Sequence, residues 1–214
     1  MFLKRTLLGR AYRLFVPPKA PAGGSLPLVV FLHGVGENGT DGEKHLQFGL
    51  PPYVEAHAAD FPALVLAPQC KGPWKFVGED EQLLMAAIES VRREFSVDRV
   101  YLTGLSQGGC STFDLGAEHS GSWDALVVVC GAGYASDALR LVRTPVWIFH
   151  GERDPVVPPS GPNQWDPRNL GGRDMSKLLP HARYTEFPGA AHDIWDRVYS
   201  DPALWDWLWV QRRR

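Results

Sequence analysis

The sequence predicts a single α/β domain over residues 1–214, a mainly parallel sheet with helices on both faces and no large lid. Three observations carry this. Leu28-Val-Val-Phe-Leu32, Ala63-Leu-Val-Leu-Ala67, Ala125-Leu-Val-Val-Val-Cys130 and Val146-Trp-Ile-Phe149 are continuous apolar runs, the character of strands buried on both faces. Helix-compatible stretches alternate with them, which argues for right-handed crossovers between parallel neighbours. The chain of 214 residues is 44% hydrophobic and 21% charged, with no repeat, linker or low-complexity tract, so it can build one sizeable core.

Taken in order, Arg10 to Val16 alternates well enough for an early edge strand, and residues 17–27, rich in Pro, Gly and Ala, read as a loop. The Leu28 run ends in His33-Gly-Val-Gly-Glu-Asn-Gly39, too glycine-rich for anything but a loop at a strand's end. The Ala63 run is closed by Pro68-Gln-Cys70 and a loop around Trp74. Glu81 to Phe95 places Leu84, Ile88, Val91 and Phe95 on one helical stripe. Arg99 to Thr103 is a short buried strand, and Gly108 to Ala117 can open a helix beyond it. Ser136 to Val142 reads as a short helix and Arg183 to Phe187 as the last strand. Pro202 to Val210 is a terminal helix in which Trp205 and Trp209, at i and i+4, pack on the sheet.

Composition excludes several functions. The 24 acidic and 22 basic residues leave nothing to attract nucleic acid, and Arg212-Arg-Arg214 reads as a solvated tail. No apolar run approaches transmembrane length, and the first ten residues lack the uninterrupted apolar stretch of a secretory signal. A cytoplasmic protein with no membrane partner is expected, and a homodimer is left open. Cys70, Cys110 and Cys130 lack any C-x-x-C spacing and read as small buried residues in a reducing compartment. The 7 histidines show neither H-x-x-x-H nor paired Cys/His spacing, so no metal and no cofactor are expected.

The chemistry gathers at three strand ends. Gly104-Leu-Ser-Gln-Gly108 is a G-x-S-x-G pattern between an apolar run and a helix-compatible run. A sharp strand-to-helix turn strains its central residue and leaves no room for side chains two positions either side. It would hold the Ser106 hydroxyl at the head of a helix, whose first N–H groups face a developing negative charge. His192, in Gly189-Ala-Ala-His192, is the candidate base, since a neutral serine is a poor nucleophile until an imidazole takes its proton. Asp154, in His150-Gly-Glu-Arg-Asp154, would accept the other imidazole N–H and fix the tautomer.

Each has a competitor. His150 reads as turn support, Glu152 is the alternative orienter to Asp154, and Asp193 reads as the cap of the last helix. The backbone N–H groups of Val35 and Gln107 are the candidate oxyanion donors, needed about 3 Å from the nascent oxyanion. His33 braces their loop. Trp74 is the candidate pocket residue, with loop packing as its other reading.

The segments Leu32 to Gly39, Ala67 to Cys70, Gly104 to Gly109, His150 to Val156 and Gly189 to Trp195, in the chain order Ser, Asp, His, resemble the α/β-hydrolase esterases of the phospholipase/carboxylesterase and dienelactone-hydrolase-like group. The resemblance spans nearly the whole chain, from Arg10 to Trp207. It implies Ser106, Asp154 and His192 as a catalytic triad, with Val35 and Gln107 donating to the oxyanion. One stretch departs from the group: residues 158–172 hold too many prolines and glycines for the regular helix usual after the acid loop, and read as a surface loop. The expected function is hydrolysis of small or short-acyl carboxylic esters through an acyl-enzyme. Acyl thioesterase or peptidase action on the same groups is the alternative, followed by a non-catalytic binding module and by a partner-binding protein using the terminal helix.

Overall fold

The computed structural model describes residues 1–214 apart from 20–23, 73–74, 165 and 214. Trp74, the expected pocket residue, therefore lies outside the described residues. The chain starts with a hairpin, β1 (Leu3–Leu7) and β2 (Arg10–Phe15), closed by the two-residue turn Leu8-Gly9 with φ of 51° and 72°. Both central residues at positive φ match the right-handed twist of the strands. With Leu rather than Asn or Asp at the first of them, the turn gives little sequence signal. β1 rather than β2 is thus the sheet edge, which corrects the expectation of an edge strand from Arg10.

The central strand β3 (Leu26–Leu32) is buried along its whole length. Helix α1 (Leu50–Ala56), which opens on Pro51-Pro52, was not evident from periodicity, because seven residues are too few to show a stripe. Then follow β4 (Leu64–Pro68), α2 (Glu79–Glu94), β5 (Val97–Leu105), α3 (Gln107–Glu118), β6 (Ala125–Val129), β7 (Ala132–Tyr134), α4 (Ala135–Leu141) and β8 (Val146–Gly151). The chain ends with β9 (Asn169–Gly171), α5 (Gly172–Leu178), β10 (Arg183–Phe187), α6 (Trp195–Tyr199) and α7 (Pro202–Val210).

An eight-stranded sheet runs β1-β2-β4-β3-β5-β6-β8-β10, antiparallel in its first two pairs and parallel in the rest. Period-2 alternation sorts the strand residues into two cores. Leu28, Val30, Leu32, Leu102, Val128 and Ile148 pack under α2 to α5, and Val29, Phe31, Tyr101, Val127, Trp147 and Phe149 pack under α1, α6 and α7. α2 contributes Leu84, Ala87, Ile88 and Val91 to the first core, each large side chain worth about 1.5–3 kcal/mol of burial. In α7, Trp205 stacks on Tyr53 with centroids 5.5 Å apart, and on Trp209 at 5.4 Å.

Two further expectations change. Residues 158–172 are not wholly a surface loop: their end forms β9, antiparallel to β7, with Asn169 and Gly171 buried, and α5 starts at Gly172. Asp193 does not cap the last helix. That position belongs to Asp201, whose carboxylate accepts from Ala203 N at 2.9 Å, because Pro202 at the first helical position fixes where α7 begins.

Candidate active site

The loops after β3, β5, β8 and β10 meet at the carboxyl rim of the parallel strands, where ligands bind in open α/β sheets. Ser106 sits between β5 and α3 with φ 54° and ψ −117°, a backbone conformation that non-glycine residues rarely adopt. The flanking glycines are required sterically. A Cβ on Gly104 would come 2.3 Å from the Gly108 carbonyl oxygen, and one on Gly108 would come 2.0 Å from that of Leu32. The amide of Ser106 is anchored to Val129 O at 2.9 Å.

Three side chains from three loops form one succession. His192 Nε2 lies 2.8 Å from Ser106 Oγ, and His192 Nδ1 lies 2.6 Å from Asp154 Oδ2. Asp154 Oδ1 accepts from the amides of Val156 and Val157, each at 2.9 Å. Burial would raise the Asp154 carboxyl pKa, but hydrogen bonds from His150 and His192, the charge of His192 and the Val157 amide outweigh it and hold the group well below the carboxylate range. With Asp154 ionised, the ring's Nδ1 carries the proton and Nε2 faces the serine as acceptor. Glu152 is exposed and accepts from Gly189 N at 2.6 Å, so it supports the turn before His192 rather than touching the ring.

The sequence candidates for anion binding flank the hydroxyl. Gln107 is the first residue of α3 and Val35 the first of a 3-10 turn, Val35–Glu37, so neither N–H has an acceptor within its own helix. The neighbouring Gly34 N–H is occupied, donating to Glu37 Oε2 at 2.8 Å. His33 locks the loop from behind: Nδ1 donates to Gly34 O at 2.7 Å and Nε2 accepts from Cys70 N at 2.9 Å. Desolvation lowers its pKa to about 4, so it stays neutral in that role.

No protein-family model matches the chain, and no curated protein matches it in sequence. Solved structures do. The chain is similar to a thermostable esterase at 30% identity and a TM-score of 0.80, over 99% of this chain and 63% of the esterase, so it spans less than two thirds of that protein. Est1E from Butyrivibrio proteoclasticus superposes with a TM-score of 0.71 at 15% identity, covering 97% of each chain. An acylaminoacyl peptidase superposes with a TM-score of 0.66 at 14% identity, over 100% of this chain and 42% of the peptidase. This chain is an α/β-hydrolase by fold.

Two features of this α/β-hydrolase were not foreseen in their full extent. His150, on β8, is fully buried, donates from Nε2 to Val157 O at 2.8 Å, and lies 3.4 Å from Asp154 Oδ2. It clamps the acid loop, and its buried Nδ1 has no partner among the described residues and faces Gly172, where a Cβ would come within 2.6 Å. Gly151 performs the matching service for the histidine loop, since a Cβ there would meet Ala191 O at 1.9 Å. The other feature is Glu37, 8% exposed, which lines the cleft above Ser106. Nothing in its sequence context distinguished it from an ordinary loop residue.

The cleft has a volume of about 290 Å³ and apolar walls from Val35, Phe48, Leu105, Val156 and Trp195. Cys130, His150 and Asp154 bring ligand-type atoms within 4.8 Å of one another behind the site. A metal there would need the thiolate, whereas burial holds the Cys130 pKa well above its ordinary value and the thiol donates to His192 O at 3.1 Å. The trio is a hydrogen-bonded brace for the acid and histidine loops. Among the described residues no helix is long and apolar enough to cross a membrane.

Proposed function

We propose that the chain is a serine hydrolase of small carboxylic esters. The observation that carries this reading is the unbroken succession Ser106 Oγ, His192 Nε2, His192 Nδ1, Asp154 Oδ2, at 2.8 and 2.6 Å. Ser106 attacks the ester carbonyl as His192 takes its proton, and Asp154 stabilises the imidazolium. The oxyanion forms against the Val35 and Gln107 amides at the head of α3. His192 then protonates the leaving alcohol, and water deprotonated by the same ring releases the acid.

A cleft of about 290 Å³ sits at the low end of ligand pockets, which favours short acyl groups. Thioesters and amides can be split by the same groups. His192, in the cleft lining, would protonate an amine as it does an alcohol, and the ester reading stands first because an alcohol leaves more readily than an amine.

A fluorophosphonate probe tests the nucleophile: the wild type is labelled at Ser106 and Ser106→Ala is not. A chain-length series of p-nitrophenyl esters beside matched acyl thioesters tests the substrate class. kcat/KM should peak at short acyl chains and favour the oxygen esters. A labelled Ser106→Ala, or a preference for long acyl thioesters, would overturn the assignment.

A further inference from the structure

Among the described residues, Glu37 is the ionisable side chain of the cleft that the hydrolytic steps leave unused. One of its oxygens, Oε2, is held by the Gly34 amide. The other, Oε1, has no protein partner among the described residues and is not sealed from solvent. No Lys or Arg among the described residues pairs with it, and burial raises its pKa with only the Gly34 hydrogen bond opposing. A largely buried acid is ordinarily paired or neutralised, so an unpaired one in a cleft is a position where a ligand can supply the partner.

Its place relative to the nucleophile is fixed by Gly34. The space a side chain there would fill lies 3.1 Å from Glu37 Oε2 and 3.6 Å from Ser106 Cβ. The carboxylate oxygen and Ser106 Cβ are thus less than about 7 Å apart and both residues line the cleft, which puts a substrate held on Ser106 within reach of Glu37. Among the described residues, Glu37 and His192 are the ionisable side chains lining the cleft, and the walls are otherwise apolar, so little in the protein screens a charge there.

We propose that Glu37 is a specificity-determining residue that selects esters bearing a hydrogen-bond donor or a positive charge near the reacting carbonyl and turns away those bearing a carboxylate. This rests on Ser106 as the nucleophile and adds the chemical class of the substrate. A donor on the substrate supplies Oε1 with the partner that the described protein groups do not. A carboxylate there meets a like charge in an apolar cleft and leaves both groups without a donor.

The test uses two sets of compounds with matched ethyl, aminomethyl and carboxyl groups, measured at pH 8. Para-substituted phenyl acetates place the group on the alcohol side and are read as kcat/KM. Meta-substituted phenylboronic acids place it on the acyl side as adducts of Ser106, and are read as Kd from tryptophan fluorescence. On at least one side the wild type should favour aminomethyl over carboxyl by about tenfold or more, with ethyl between them.

Glu37→Gln, which keeps an oxygen for the Gly34 amide, should compress that ratio to about threefold or less. The wild-type order is measured without the variant, so a poorly folded variant does not spare the proposal. Ratios within about threefold on both sides in the wild type, or a ratio unchanged in Glu37→Gln, would overturn it. Boronates that bind in the expected order while no acetate is cleaved would overturn the esterase reading and uphold the selection by Glu37 among ligands of Ser106. Absence of both cleavage and binding would overturn both.

Discussion

At Ser106 the backbone does the positioning, whereas at Asp154 side chains from separate elements do it. The serine is fixed by a positive φ, by Gly104 and Gly108 with no space for a Cβ, and by its amide bond to Val129 O. The aspartate is fixed by two amides of its own loop, by His192 from the loop after β10, and by the buried His150 on β8. A backbone-built position fails as a whole when one atom is added. A side-chain-built position degrades stepwise, because each partner can be removed while the others remain.

The strongest way to break the first region is Gly108→Ala. Its Cβ would lie 2.0 Å from Leu32 O, so β3 and α3 must separate. We expect more than about 4 kcal/mol of destabilisation, read as a collapse in Tm or soluble yield.

The second region should lose function without losing the fold. Asp154→Asn is expected to lower kcat on a short-chain p-nitrophenyl ester by about three to four orders of magnitude, because the amide no longer enforces the tautomer. Glu152→Gln, two positions away and bonded among the described residues to Gly189 N alone, should stay within about threefold. Equal losses in the two variants would mean that Asp154 is not the orienting acid.

Acid separates the regions by stability. His33 and His45, behind the loop that carries Val35, are buried and desolvated, with pKa values lowered to about 4. Between that value and the unfolded value near 6.5, the unfolded chain binds protons that the folded chain does not. Their contribution is therefore complete above pH 6.5 and falls as the pH drops towards 4, by roughly 2 kcal/mol for each histidine at pH 5. Asp154, its pKa lowered, stays ionised throughout that window and loses its contribution only at lower pH. Denaturant midpoints at pH 7 and pH 5 measure the difference, and His45→Asn should flatten it.

The last variant sharpens the comparison most. His150→Phe keeps a ring but leaves Val157 O without its donor, at a cost of about 1–3 kcal/mol. We expect kcat to fall by about 10- to 100-fold with KM little changed, since the acid loop shifts while the cleft walls stay in place. His150→Gln, which can still donate to Val157 O, should recover part of the loss.

The sequence by itself determined the alternation of buried strands and helices, and it marked positions 104, 106 and 108, because period-2 burial and a sterically forced turn are written in consecutive residues. It also singled out Val35, Gln107, Asp154 and His192 at strand ends, by residue type and chain order. Only the tertiary structure decided that Asp154 and not Glu152 meets His192, that His150 clamps the acid loop, that Asp201 and not Asp193 caps the last helix, and that Glu37 turns into the cleft. Those outcomes depend on contacts between residues as far apart as Ser106 and His192, 86 positions along the chain, and packing brings such groups together with no local pattern to record it.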